Sequence, residues 1–170
     1  MTEVTHQARI ADLLARLQET SNRFCARLEA AGSRAEQAAS GWTPAQIAVH
    51  VAMVNHSIAG VIDGTTPGAA PPADGFEERA WADVVRQVPA RNEAPPRFHP
   101  PATVAVGDAL QQFRASMAHL TTAIETLAPD RARYCFANRA VGTITLYQAG
   151  DFAIAHMIRH NQQAKRILES

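Results

Sequence analysis

The sequence has no excess of charge of either sign, since 16 basic residues balance 16 acidic ones and no block of like charge occurs. Proteins that attract nucleic acid or acidic membranes carry a basic patch or a basic net charge. We therefore expect neither nucleic acid nor a membrane among the partners of this protein.

Cysteine is also scarce, with only Cys25 and Cys135 in 170 residues. The N-terminus lacks the charged-then-apolar pattern of a secretory signal, and no apolar run approaches the length of a membrane span. The two cysteines are therefore interpreted as free buried thiols. These absences predict a soluble cytoplasmic protein, and the length favours a single domain over residues 1–170.

Apolar residues recur at intervals of three and four in four segments, which is the spacing of one face of an α-helix. The first segment runs from about Glu3 to Ala31. The second runs to about Ile62, and the third ends before Pro129. The stripes are Ile10, Leu13, Leu17, Phe24 and Leu28; then Ile47, Val51, Val54, Ile58 and Val61; then Leu110, Phe113, Met117, Leu120, Ile124 and Leu127.

Two of these helices have strong start signals. Thr43 is a good N-cap with Pro44 after it and Gln46 completing a capping box, and Thr145 with Gln148 repeats the box for the last helix. Gly150 is unusual inside a helix; close approach of a neighbouring helix would explain it, and so would a start nearer Asp151. Four such helices without a convincing strand pattern predict an all-α fold, a four-helix bundle.

The connection between the second and third helices, residues 63–103, is rich in proline. Eight of the ten prolines fall between Pro67 and Pro101, which excludes a long continuous helix. A short amphipathic helix from Asp74 to Val88 is expected, with Trp81 packing on the bundle or lining a pocket mouth. Connections of this length are usually functional or mobile, so this one is interpreted as a lid. Arg131–Thr143 is expected to be irregular, with a short extended piece around Tyr134–Phe136.

Two histidines of the last helix, His156 and His160, lie four residues apart and hence one turn above each other on one face. That face is predicted to be the buried stripe of the helix. His50 lies on the inward stripe of the second helix, so a bundle could bring it to the other two. Three imidazoles that leave a coordination position open are typical of a catalytic metal site, and no cysteine has the spacing to close it. The inward face of the last helix reads Ala149, Phe152 or Ala153, His156, His160, Gln163 or Ala164, and Ile167.

The motifs Trp42-Thr43-Pro44, Val49-His50-Val51 and His156-x3-His160-x2-Gln163 resemble the DinB/YfiT-like superfamily over essentially the whole chain. The resemblance implies a four-helix bundle, often dimeric, in which His50, His156 and His160 hold a divalent metal ion. Zinc is the first expectation, with nickel or iron as alternatives, because imidazole suits all three. Members with assigned activity include bacillithiol transferases and mycothiol-dependent maleylpyruvate isomerases. A low-molecular-weight thiol is therefore an expected cosubstrate, and a small molecule the expected substrate.

Met157 follows the first histidine of the pair, where zincin metalloproteases carry their glutamate base, so that class is disfavoured. The leading hypothesis is a metal-dependent enzyme, either a thiol-dependent transferase or a hydrolase acting on a small electrophile; its catalytic residues are unknown. The alternative is a non-catalytic stress-response or ligand-binding bundle with a structural or vacant metal site.

Two of the remaining polar residues, Gln163 and Arg159, each allow a functional and a structural interpretation. Gln163 either orients a metal ligand or simply caps the helix end. Arg159 could grip an acidic substrate, but a solvated face is favoured. Asn55 and Asn161 are expected at the surface, and solvated positions are expected for His6, His56, His99 and His119, of which His99 is the one to test.

Overall fold

The computed structural model describes residues 3–86 and 93–170, with side chains from Thr5 onward. Five α-helices and a small hairpin make up the described chain. They are α1 (Glu3–Ala31), α2 (Pro44–Asp63), α3 (Trp81–Arg86), α4 (Val106–Glu125), β1 (Cys135–Asn138), β2 (Gly142–Thr145) and α5 (Leu146–Leu168), with 3₁₀ turns at Gly32–Glu36, Pro96–Phe98 and Arg131–Arg133.

The four long helices form the predicted bundle, with α2 packed mainly on α4 and α5, and α1 packed on the same two helices. The helices α1 and α2 therefore lie diagonally across the bundle, and α2 is the direct neighbour of α5. The predicted stripes form the core; Phe24, Phe113 and Leu120, for example, are completely buried. The all-α prediction is confirmed, and the arrangement explains how His50 on α2 can reach α5.

Helix α2 is the most apolar of the long helices. It is long and apolar enough to cross a membrane by length and composition, but 83% of its apolar window is buried within the bundle, as in the core helix of a soluble protein. Both predicted capping boxes are present, since Thr43 accepts a hydrogen bond from the Gln46 backbone, and Thr145 from that of Gln148. The positions of these two helix starts are therefore confirmed.

The extended piece expected around Tyr134–Phe136 overlaps strand β1, but its pairing into a hairpin was not predicted. Strands β1 and β2 pair antiparallel, with Cys135 opposite Thr145 and Asn138 opposite Gly142. In the turn, the Asn138 side chain accepts a hydrogen bond from the Ala140 backbone at 2.9 Å, and Gly142 has φ +78°. The buried residues of each strand are adjacent, Cys135 with Phe136 and Ile144 with Thr145, so neither strand has the alternation of buried and exposed residues by which a strand is recognised.

The predicted helix from Asp74 is wrong in its start, because α3 begins at Trp81. The chain before α3 is instead irregular and is held against the start of α5. Thr145 donates to the Glu78 carboxylate at 2.6 Å, and the Gln148 side chain donates to the Arg79 carbonyl at 2.7 Å. The predicted end of this helix at Val88 lies outside the described residues.

Helix α5 is rotated relative to the prediction. Its fully buried line runs through Ala149, Ala153, Met157 and Ala164, while His156 and His160 are only partly buried, at the edge of the buried face. Gly150 lies inside the helix, where an added Cβ atom would come within 3.2 Å of a Leu13 methyl group. The close approach of α1 therefore explains this glycine, and the rotation turns the histidines towards an open cleft.

Candidate metal centre

The imidazole rings of His50, His156 and His160 meet where α2 and α5 face each other. Their ring centroids are 5.1 Å apart for His50–His156, 4.8 Å for His50–His160 and 4.4 Å for His156–His160. One ligand nitrogen from each ring can be chosen so that all three lie within 4.8 Å of one another. The structure thus brings together the three residues predicted from the sequence.

Hydrogen bonds on the far side of two rings set which nitrogen is available. His50 Nδ1 lies 2.9 Å from the Phe98 carbonyl oxygen, and His160 Nδ1 lies 2.9 Å from Gln163 Oε1. Because both partners are acceptors, each Nδ1 carries the proton and each Nε2 presents a lone pair. Metal-binding histidines usually donate their other ring N–H in this way, which fixes the ring and its tautomer.

His156 is held differently from the other two rings. Its Nδ1 is buried and has no hydrogen-bond partner among the described residues. The ring stacks on Phe152, four residues earlier, with centroids 5.8 Å apart and planes 25° from parallel. Its Nε2 lies 3.2 Å from His50 Nε2. Packing therefore orients this ring, and an ion bound at Nε2 would give it the polar anchor that its other nitrogen lacks.

The donor types and the distance between one pair of ring nitrogens fit a divalent metal ion. Two nitrogens bound to one tetrahedral zinc at 2.0–2.1 Å lie roughly 3.3 Å apart, and the observed Nε2–Nε2 distance of 3.2 Å is close to that spacing. His50, His156 and His160 would hold the ion, and their ligation stays a prediction.

All three imidazoles have a lowered pKa. Burial lowers the pKa of His50, although its hydrogen bond to Phe98 opposes the change. Burial, followed by the charges of His160 and His50, lowers the pKa of His156 well below its ordinary value. Burial and the charge of His50 lower the pKa of His160 to about 4, although the hydrogen bond that His160 donates to Gln163 opposes the change. The rings are therefore neutral at pH 7, as metal ligation requires.

The three rings lie in the wall of a cleft of about 1600 Å³. Trp42 forms another part of the wall, with its ring 5.0 Å from that of His50. The hairpin turn and the connection beside α3 form two further sides of the cleft. Trp81 also lines the cleft, which is one of the two roles expected for it. Glu93 is the one carboxylate among the described lining residues. The cleft could admit a small molecule to the open side of the cluster.

Several predicted positions of polar residues are wrong. Asn55 and Asn161 are buried, and not at the surface: Asn55 donates to Met117 Sδ, and Asn161 accepts from Arg27 at 2.6 Å. His6 is also buried, with Nδ1 2.5 Å from the Tyr147 hydroxyl. In each case a partner on another helix, which spacing along one helix cannot reveal, covers the polar group.

The other histidines and Arg159 are exposed to different degrees and have partners. His56 and His119 lie beside each other, with Nδ1 atoms 3.0 Å apart, and His119 also contacts Asp63 at 2.8 Å. His99 lines the cleft, with Nε2 2.8 Å from the Ala94 carbonyl. Arg159 is exposed, as expected, and also lines the cleft.

Sequence reasoning missed Phe98, whose contribution is a backbone carbonyl and so leaves no side-chain signal. The run Pro95-Pro96 before it could have indicated the 3₁₀ turn that presents this carbonyl, because proline favours the first position of a helical turn. Phe152 was noticed as part of the inward face, but its stacking on His156 was not predicted.

The fold and the site together define a helical bundle with a candidate three-histidine metal centre in an open cleft. The family model of the DinB superfamily matches residues 13–164, and the chain belongs to that superfamily. No curated protein matches the chain.

Proposed function

We propose that this protein is a metal-dependent enzyme that holds one divalent ion at His50, His156 and His160. Its reaction is the transfer of a low-molecular-weight thiol to a small electrophile, or the hydrolysis of such an electrophile. Zinc is the first choice of ion, with nickel or iron as alternatives, because neutral imidazole nitrogens suit all three. The resemblance to the family further supports a cytoplasmic homodimer.

The main support for the proposal is that hydrogen bonds fix the orientation of two of the three imidazole rings. The Phe98 carbonyl and the Gln163 side chain hold the protons of His50 and His160 away from the centre. Within the described part of the chain, the cluster has three neutral histidines and no fourth ligand group, which leaves coordination positions open, as in catalytic zinc sites.

The residues of the cleft would have two roles: some orient the imidazole rings, and others bind the substrate. Trp42 and Phe152 pack against His50 and His156 and so restrict the rotation of these rings. The apolar part of the lining would hold an apolar substrate body. When bound, a divalent ion supplies Lewis-acid activation of the electrophile or lowers the pKa of a thiol or water.

The test combines metal analysis with turnover. Purified protein loaded with Zn²⁺ is assayed with cysteine, glutathione or bacillithiol plus 1-chloro-2,4-dinitrobenzene, and separately with 4-nitrophenyl acetate. We expect His50→Ala to lose bound zinc and to lower turnover by about 100-fold or more. The matched control is His56→Ala on the same helix, which should retain both.

Equal turnover by the wild type and His50→Ala would overturn the enzymatic proposal. The alternative, a non-catalytic bundle with a structural or vacant metal site, predicts that result. A structural zinc site normally has four protein ligands and no access to solvent. The open cleft at the three histidines therefore favours chemistry over a purely structural role.

A further inference from the structure

A second pair of histidines lies outside the cleft, where α2 packs on α4. His56 on α2 and His119 on α4 have their Nδ1 atoms 3.0 Å apart and their ring centroids 5.3 Å apart. Neither residue lines the cleft of the three-histidine centre. His56 is exposed and His119 is partly exposed, so both rings are accessible from solution.

A carboxylate at the end of α2 sets which nitrogen of His119 is available. His119 Nε2 lies 2.8 Å from Asp63 Oδ2, and Thr65 donates to the other oxygen of the same carboxylate from its backbone N–H and its hydroxyl. Although burial raises the pKa of the Asp63 carboxyl, the hydrogen bonds from Thr65 and His119 lower it overall, so the group is an acceptor at pH 7. A neutral His119 therefore carries its proton on Nε2 and presents the Nδ1 lone pair towards His56.

The spacing of the two Nδ1 atoms suits a bound ion. Nitrogens in neighbouring positions of a square-planar or octahedral ion, 90° apart at about 2.0–2.1 Å, lie roughly 2.9 Å from each other, and those of a tetrahedral ion roughly 3.3 Å. The observed distance of 3.0 Å is closer to the first value. Ni²⁺ and Cu²⁺ favour square-planar or tetragonal sites of nitrogen and oxygen ligands.

The surroundings of the pair also match those of metal-binding histidines. Such a histidine usually donates its far N–H to a carboxylate, a carbonyl or water, which fixes the ring and raises its basicity. Asp63 has this relationship to His119. Burial and the charge of His119 lower the pKa of His56, so this ring is neutral at pH 7, as metal ligation requires.

We propose that His56 and His119 form a second metal site, which binds one divalent ion of the Ni²⁺ or Cu²⁺ type through their Nδ1 atoms. Asp63 orients His119, water completes the coordination, and the ion joins α2 to α4. The site is independent of the proposed enzymatic function. With two protein ligands it binds more weakly than the three-histidine centre, so it empties when excess metal is removed, and His56→Ala keeps the zinc of that centre.

The test is calorimetric titration of metal-free protein with NiCl₂ at pH 7.5. We expect the wild type to bind two ions with different affinities. His56→Ala and His119→Ala should each weaken the second binding by about 10-fold or more and keep the first, because each removes one of two ligands. The two variants alter different helices, so agreement between them locates the ion between α2 and α4.

Further variants control for the loss of an imidazole and test the orientation of His119. His99→Ala removes an exposed imidazole from another part of the surface and should keep the weaker binding. Asp63→Asn should lower the affinity of the weaker site by about 10-fold, because an amide oxygen is a poorer acceptor than a carboxylate. Unchanged affinity in Asp63→Asn would overturn the orienting role of Asp63.

A titration that neither His56→Ala nor His119→Ala alters would overturn the second site. If only His50→Ala changes the titration, the three-histidine centre stands and the second site falls. If only His56→Ala and His119→Ala change it, the second site stands and the ligation by the three histidines falls.

Discussion

The histidines of the cluster differ in what fixes the far side of each ring. For His50 it is a backbone carbonyl 48 residues away in sequence, and for His160 it is a side chain three residues ahead on the same helix. The contact of His160 with Gln163 can be predicted from the sequence, because Gln163 follows His160 at helical spacing. The contact of His50 with the Phe98 carbonyl cannot, because any residue can supply a backbone carbonyl. Of the two readings of Gln163, the structure supports the orientation of His160.

Gln163→Leu tests this positioning role. Loss of the acceptor frees the His160 ring and its tautomer, and we expect zinc affinity to fall about 10–100-fold, measured by competition with a chromophoric chelator. Gln163→Glu, which restores an acceptor, should retain the affinity. The exposed neighbour Gln162→Leu is the control and should behave as the wild type. Identical losses in Gln162→Leu and Gln163→Leu would contradict the role of Gln163.

For single helices, the start positions could be predicted from the sequence, but the exact buried face of α5 could not. Capping boxes depend on residues three apart, so Thr43 and Thr145 could be read directly. The face of α5 depends on how closely α1 approaches Gly150, which is a property of two helices. The end of α2 also depends on a segment that is distant in the sequence. Arg131, from a 3₁₀ turn, donates hydrogen bonds to the backbone carbonyls of Val61 and Ile62.

Gly64→Ala should destabilise the end of α2. Gly64 has φ +88°, a left-handed conformation that costs about 1–2 kcal/mol for residues with a Cβ atom. An added Cβ atom would also lie 2.8 Å from Arg131 Nη2 and displace this guanidinium from the helix end. We expect a loss of about 1–2 kcal/mol in the free energy of unfolding in urea.

The matched control is Gly107→Ala, in the first turn of α4, where a Cβ atom would meet nothing within 4 Å. Because alanine favours helix, this variant should be neutral or more stable by up to about 1 kcal/mol. Equal destabilisation by Gly64→Ala and Gly107→Ala would show that the left-handed backbone and Arg131 are not the cause.

Across the whole molecule, a partly buried ion pair links the first and last helices. Arg16 on α1 donates to Asp151 on α5 at 2.7 Å, and the Asp151 side chain is 9% exposed. Burial raises the pKa of Asp151, and the hydrogen bond and charge of Arg16 offset this rise only in part. A raised pKa in the folded state means that the ionised carboxylate costs stability near neutral pH. The cost decreases as pH falls through that pKa.

Arg16→Ala should therefore have a pH-dependent effect. At about pH 7.5 it leaves a buried carboxylate without its cation, and we expect a loss of about 1–2 kcal/mol, discounted because the Arg16 side chain is 38% exposed. At lower pH the loss should shrink, since a protonated Asp151 no longer needs the cation. Urea unfolding at several pH values, relative to wild type at each pH, measures the change.

Arg23→Ala serves as the reference, because its pair with Glu19 is exposed within α1. That substitution should change the free energy of unfolding by less than about 1 kcal/mol at every pH. A loss in Arg16→Ala that is the same at all pH values would rule out Asp151 as its origin.

The sequence by itself determined the features that depend on neighbours within a few residues. These are the four amphipathic helices, their capping boxes, and the one-turn spacing of His156 and His160. It also indicated that His50 would join them, since the apolar stripe of α2 has a definite phase. Such features follow from helix periodicity and local hydrogen bonds, which act within one segment.

Only the tertiary structure decided what depends on segments far apart in the chain. The close packing of α1 on Gly150 set the rotation of α5, and the Phe98 carbonyl set the tautomer of His50. The hairpin and the connection beside α3 line the cleft in which the histidines lie. The physical reason is that burial, ring orientation and local charge arise from the groups that surround a residue in space, and sequence spacing along one helix does not specify those groups.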